Sequence, residues 1–103
     1  MRCVVKVNFD VQKSNEAAKA GTMGKSLKAI LDELKPEAAY FTAERGQRGC
    51  ILVVDLKDAS QIPWLAEPFF LAMNATVEIF PAMTIDDLMK AGPHIENAVK
   101  NYG

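Results

Sequence analysis

The middle of the chain reads Glu37-Ala38-Ala39-Tyr40-Phe41-Thr42-Ala43-Glu44, then Arg45-Gly46-Gln47-Arg48-Gly49, then Cys50-Ile51-Leu52-Val53-Val54-Asp55. In the first run Ala39, Phe41 and Ala43 share one face, while Ala38, Tyr40, Thr42 and Glu44 share the other. A period of two marks a half-buried strand. The polar, glycine-rich residues 45–49 are expected to close a hairpin. The third run is apolar on both faces up to Asp55, the pattern of a central strand covered on both sides.

Outward from this hairpin the elements alternate. Upstream, residues 14–35 have helical periodicity: Met23, Leu27, Ile30, Leu31 and Leu34 recur at intervals of three and four. Gly21 weakens the run. Ser14 is expected to cap a first piece and Thr22 a second, and Pro36 stops it. Before it, residues 3–9 alternate again, with Cys3, Val5, Val7 and Phe9 on one face and Val4, Lys6 and Asn8 on the other.

Downstream, Asp58 or Ser60 can cap a second helix, marked by Ile62, Leu65, Ala66, Phe69 and Phe70. Pro63 fits the first turn, and Pro68 is expected to kink or end the helix. Residues 75–80 form a fourth strand, with Thr76, Glu78 and Phe80 opposite Ala75, Val77 and Ile79. Thr84 followed by Asp87 reads as a cap with an acidic first turn. Leu88, Ile95, Ala98, Val99 and Tyr102 make a last apolar stripe, broken by Gly92-Pro93.

The order is β-α-β-β-α-β plus a helical tail. It predicts one α+β domain over residues 1–103: a ferredoxin-like four-stranded antiparallel sheet with helices on one face and a C-terminal helical extension. Right-handed crossovers put the third strand between the first and second, and the fourth beyond the first. Cys3 and Cys50 then lie far apart on antiparallel neighbours, which argues against a disulfide.

Composition narrows the function classes. The chain has 103 residues, half of them hydrophobic and 24% charged, with a formal net charge of −1. There is no basic surplus to hold nucleic acid, and no apolar run approaches the length that crosses a bilayer. Two cysteines make neither a disulfide framework nor a zinc signature. The expectation is a cytoplasmic protein with no metal or cofactor.

With the more apolar faces turned to the helices, the outer face of the sheet carries Lys6, Asn8, Tyr40, Thr42 and Glu78. These five are the candidate ligand-binding residues. Lys6 and Glu78 should be neighbours across the first and fourth strands, with Asn8 and Thr76 the next pair; an ion pair is expected of the former. Tyr40, Phe80 and third-strand aliphatics would leave an apolar patch on this face. Either a two-fold partner packed through the sheet face or the chain's own C-terminal tail would cover it.

Three stretches carry a resemblance: Leu34-Lys35-Pro36-Glu37-Ala38-Ala39-Tyr40-Phe41, Asp55-Leu56-Lys57-Asp58-Ala59-Ser60-Gln61-Ile62-Pro63, and Met83-Thr84 followed by Asp87-Leu88. On these the chain resembles small uncharacterised bacterial proteins of the dimeric α+β barrel kind, in which two ferredoxin-like subunits pack sheet to sheet. The resemblance implies a homodimer and brings no catalytic residues. Two functions are therefore expected: a homodimeric small-molecule-binding or interaction module, or a cofactor-independent oxygenase or isomerase with its cavity between paired sheets.

Other candidates are weaker. Gly24-Lys25-Ser26 ends like a phosphate-binding loop, but Lys19 stands where the first glycine belongs. His94 is the only histidine and has no cluster around it. Arg45 and Arg48 could clamp an anion but read as solvated loop residues. Asn8 and Trp64 loosely match haem-degrading barrel enzymes, yet Phe69 to Asn74 contains no histidine to ligate iron.

Overall fold

The computed structural model describes residues 1–103. Its strands are β1 (Arg2–Asn8), β2 (Ala38–Glu44), β3 (Gln47–Asp55) and β4 (Thr76–Pro81). Helices α1 (Val11–Ala20) and α2 (Met23–Leu34) follow β1. A short 3-10 turn (Ala59–Gln61) leads into α3 (Ile62–Met73) after β3, and α4 (Ile85–Lys90) and α5 (Gly92–Tyr102) close the chain. The sheet order is β2-β3-β1-β4, with every neighbouring pair antiparallel. This is the ferredoxin-like arrangement expected from the element order, with helices on one face and extra helices at the C-terminus.

The barrel expectation is corrected. β2 and β4 are free edges that do not meet, so the sheet is open and encloses nothing. A sheet becomes a barrel when its edge strands pair, and those of this chain do not.

The core fills the helix-facing side. Cys3, Val5, Val7 and Phe9 from β1 and its exit, and Cys50, Leu52 and Val54 from β3, pack against Ile30, Leu34, Leu65, Phe69 and Met73. Phe9 and Phe69 stack with ring centroids 6.5 Å apart. β1 and β3 supply most of this because they are central; β2 and β4 lie at the margins. Phe41, expected in the core, is on the inward phase but 52% exposed. Edge strand β2 overhangs the helices, and Phe41 lines a shallow cleft with Leu27 and Leu31 instead. Cover on both faces of β3 is likewise corrected: Leu52 and Val54 are buried, but outward Ile51 and Val53 are only half-buried.

Local chemistry adjusts several boundaries. Asp10, not Ser14, caps α1, its carboxylate accepting from the Lys13 amide. Ser14 is fully buried and accepts from Arg48. Gly21 ends α1 in the left-handed conformation, and Thr22 then occupies the cap position of α2 without a side-chain cap bond. The hairpin turn is tighter than expected. Arg45 and Gly46 take φ of 56° and 73°, the two positive values a two-residue type I′ turn requires, so β3 begins at Gln47. Pro68 does not end its helix, since α3 runs on to Met73.

The C-terminal segment departs from the rest. Pro81 ends β4, the Ala82 amide still donates to the Arg2 carbonyl, and Thr84 opens α4 with a complete capping box to Asp87. α4 and α5 touch each other and make no comparable contact with any other element, and neither contains a buried residue. The radius of gyration is 17.1 Å and the molecule measures 58 × 27 × 20 Å. A compact domain of this length has a radius of about 13 Å. The tail is therefore an arm that projects from the body, and it does not fold across the open sheet face.

Candidate functional site

Backbone alternation sends Val4, Lys6 and Asn8 of β1 to the side opposite the helices. The registers on either flank then define rows across the sheet. Phe80, Val4, Val53 and Ala38 form the first; Glu78, Lys6, Ile51 and Tyr40 the second; Thr76, Asn8, Gly49 and Thr42 the third. Beyond the first, at the end where the arm leaves, Arg2 stands opposite Asp55, so the apolar row lies between charged and polar ends. All five candidate residues lie on it, in the second and third rows.

Their side chains engage differently from the expected pairing. Lys6 does sit opposite Glu78 in register, but its ammonium bonds Glu44 at 2.9 Å. The bridge links β1 to β2 across β3, on the side where Gly49 offers no side chain. A Cβ at Gly49 would run into the Val7 carbonyl, and the Asn8 amide oxygen would lie 3.1 Å from it. Glycine is therefore the residue that lets Asn8 bury here at 7% exposure. Glu78 is exposed and makes no salt bridge. Tyr40 is 71% exposed, and Thr42 is also exposed. No side-chain hydrogen bond joins any two of the five.

Glu44 is the residue the sequence reading passed over. Its signal was present: it continues the outward phase of Tyr40 and Thr42 at the end of β2. What was hidden is the reach across a strand, which depends on Gly49 lying between.

None of the four surface clefts is lined by the five residues. The most enclosed, about 290 Å³, opens at the end of the sheet between Met1, Cys3, Leu56, Ile62, Ile79 and Pro81. Its rim is tied down electrostatically. The chain-terminal ammonium bonds Asp55 at 3.0 Å and the Leu56 carbonyl at 2.6 Å, while Lys57 holds the other Asp55 oxygen. These contacts hold the Asp55 carboxyl below its ordinary range, the bond from the chain-terminal ammonium first and that from Lys57 next. Nearby, Arg2 forks onto both oxygens of Glu37.

The remaining candidates resolve simply. Gly24, Lys25 and Ser26 lie in the first turn of α2 with no strand leading into it. Arg48 belongs to β3, where its guanidinium donates to Ser14 Oγ at 2.9 Å and Asn15 Oδ1 at 2.7 Å. It lies in a strand rather than a loop and ties the sheet to α1, although the residue itself is exposed. Arg45 remains in the turn, 3.9 Å from Glu44. His94 is exposed on α5 and Trp64 packs half-buried against the core. Cys3 and Cys50 are buried free thiols, and burial pushes the Cys50 pKa up to about 12. No group of three His, Cys, Asp or Glu side chains is placed to hold a metal ion, and no helix is long and apolar enough to cross a membrane.

A scan against protein-family models and a search of curated proteins match nothing to this chain. With the open sheet, this leaves the dimeric α+β barrel resemblance without support, and the chain is described by its own fold: a ferredoxin-like four-stranded sheet with a projecting helical arm.

Proposed function

We propose that the chain is a homodimeric interaction module whose contact surface is the outer face of its sheet. One observation carries this reading. An unbroken band from Phe80 through Val4 and Val53 to Ile51 and Tyr40 is left uncovered by every element of the chain. Phe80 is 43% and Tyr40 71% exposed. Contiguous apolar surface of this kind, rimmed by Lys6, Glu44 and Glu78, is characteristic of protein contact sites. Its amphipathic aromatic residue and polar margin suit an interface more than a dry core. The module is assigned to the cytoplasm, where the thiols of Cys3 and Cys50 stay reduced.

Sedimentation at micromolar concentration tests it. The chain is expected to run as a dimer, and the double variant Tyr40→Glu/Phe80→Glu as a folded monomer, because both side chains are exposed and their loss leaves the core intact. A monomer at about 100 μM for the unmodified chain would defeat the reading.

A further inference from the structure

The chain leaves two apolar surfaces unpartnered. One is the sheet band. The other lies along the arm, where Leu88, Ala91, Ile95, Ala98 and Tyr102 recur at spacings of three and four and, with Val99, line one shallow groove. Ile95 is 52%, Val99 64% and Tyr102 89% exposed. A stripe repeating at this interval is the buried face of an amphipathic helix, and in the single chain nothing buries it.

The connection sends the arm off the body. Only Met83 lies between Ala82, held to β1 by its amide bond to Arg2, and Thr84, held by the capping box, and from this short joint the arm projects without comparable contact to the sheet it has just left. A segment left free by its own body can dock on an identical one, as in domain swapping.

We infer that the arm α4–α5 of each chain lies across the outer sheet face of a second copy, and that the exchange is reciprocal. This rests on the homodimer reading above and names its geometry. Size favours reciprocity. The 18 residues from Ile85 to Tyr102 span up to about 27 Å as helix, and at a width of about 10 Å one arm covers on the order of 300 Å². A single arm on a single face would bury about 600 Å² in all, the range of weak crystal contacts, whereas two symmetric contacts bury about 1,200 Å², where stable interfaces begin. Small Ala91 and Ala98 let the helix approach the pleated face closely. Pairing of two arms with each other would leave both sheet bands bare, while exchange covers all four surfaces with one two-fold operation.

The test uses the full chain and two double variants, Ile95→Glu/Val99→Glu on the arm and Tyr40→Glu/Phe80→Glu on the face, with circular dichroism confirming that each folds. Each alone is expected to raise the dimer Kd by about 100-fold, the effect of losing central apolar anchors. An equimolar mixture is expected to recover only part of the lost association, because just one of its two contacts joins the intact arm of one variant to the intact face of the other. A dimer that survives the arm variant but not the face variant would overturn the exchange and leave the interaction reading standing. One that survives the face variant but not the arm variant would establish arm-to-arm pairing and overturn both. A dimer that survives both variants uses another surface, and a monomeric unmodified chain has none; either result overturns both proposals.

Discussion

The body and the arm are built from similar side chains and have opposite fates. Every buried residue lies between Cys3 and Met73. The stretch from Ala82 to Gly103 has none, although Met83, Ile85, Leu88, Met89, Ile95, Val99 and Tyr102 are as apolar as the residues of the core. The body is held by non-local strand pairing and by side chains meeting from five elements. The arm is held by its own hydrogen-bond ladder and caps. Amphipathic periodicity specifies a helix in both regions, but it does not specify what covers that helix.

The largest way to sharpen the contrast is to open the body. Phe69 is 1% exposed and stacked on Phe9. Phe69→Ala is expected to cost about 3–5 kcal/mol in urea unfolding, through lost transfer energy and a residual cavity. A cost below about 1 kcal/mol would mean that the core collapses around the gap and is looser than its burial indicates.

Arg48→Met tests the clamp between sheet and α1. It removes two charge-assisted bonds, to Ser14 and Asn15, while Ser14 keeps its own bond to the Val11 carbonyl. A loss of about 1–2 kcal/mol is expected, measured in the same way. An unchanged midpoint would return Arg48 to the role of a solvated side chain.

The arm should respond locally. Thr84→Ala removes one half of the capping box and is expected to weaken α4 by about 1 kcal/mol, read as faster amide exchange at Asp87 and Leu88 with no change in the body. The same box gives a pH dependence. The backbone and side-chain bonds with Thr84 hold the Asp87 carboxyl below its ordinary value of 3.8. A depressed carboxyl pKa means that the stabilisation is present above that value and lost as pH falls through the lower, folded one. Fraying of α4 in acid, absent from Asp87→Asn, is the expected signature by NMR.

The smallest effect is expected at the far end of the arm. Val99→Ala at a dilution that keeps the chain monomeric should change unfolding by less than about 0.5 kcal/mol. A larger cost in the monomer would mean that the arm packs on its own body and would erase the contrast.

Much of this was legible from residue order. The alternation of Cys3, Val5, Val7 and Phe9 fixed the phase of β1, because a period of two admits only one assignment once one face is apolar. Thr84 and Asp87 announced their capping box, which depends on residues three apart. The Lys6 partner was misread because a register opposite Glu78 was visible in sequence while the path over Gly49 to Glu44 was not. The position of Phe41 was misread for a related reason: phase says which way a side chain points, and only the position of its strand at the sheet edge says whether anything meets it there.

The amino-acid sequence by itself determined the elements, their order and the ferredoxin-like strand order, because periodicity, caps and crossover handedness are local or nearly local constraints. Tertiary structure alone decided that the sheet stays open, that Arg48 clamps α1, and that the tail projects instead of folding back. Those outcomes depend on which distant surfaces meet. They follow from strand edges, from a glycine gap between strands, and from a hinge pinned at Ala82 and Thr84, none of which a pattern of apolar residues along the chain encodes.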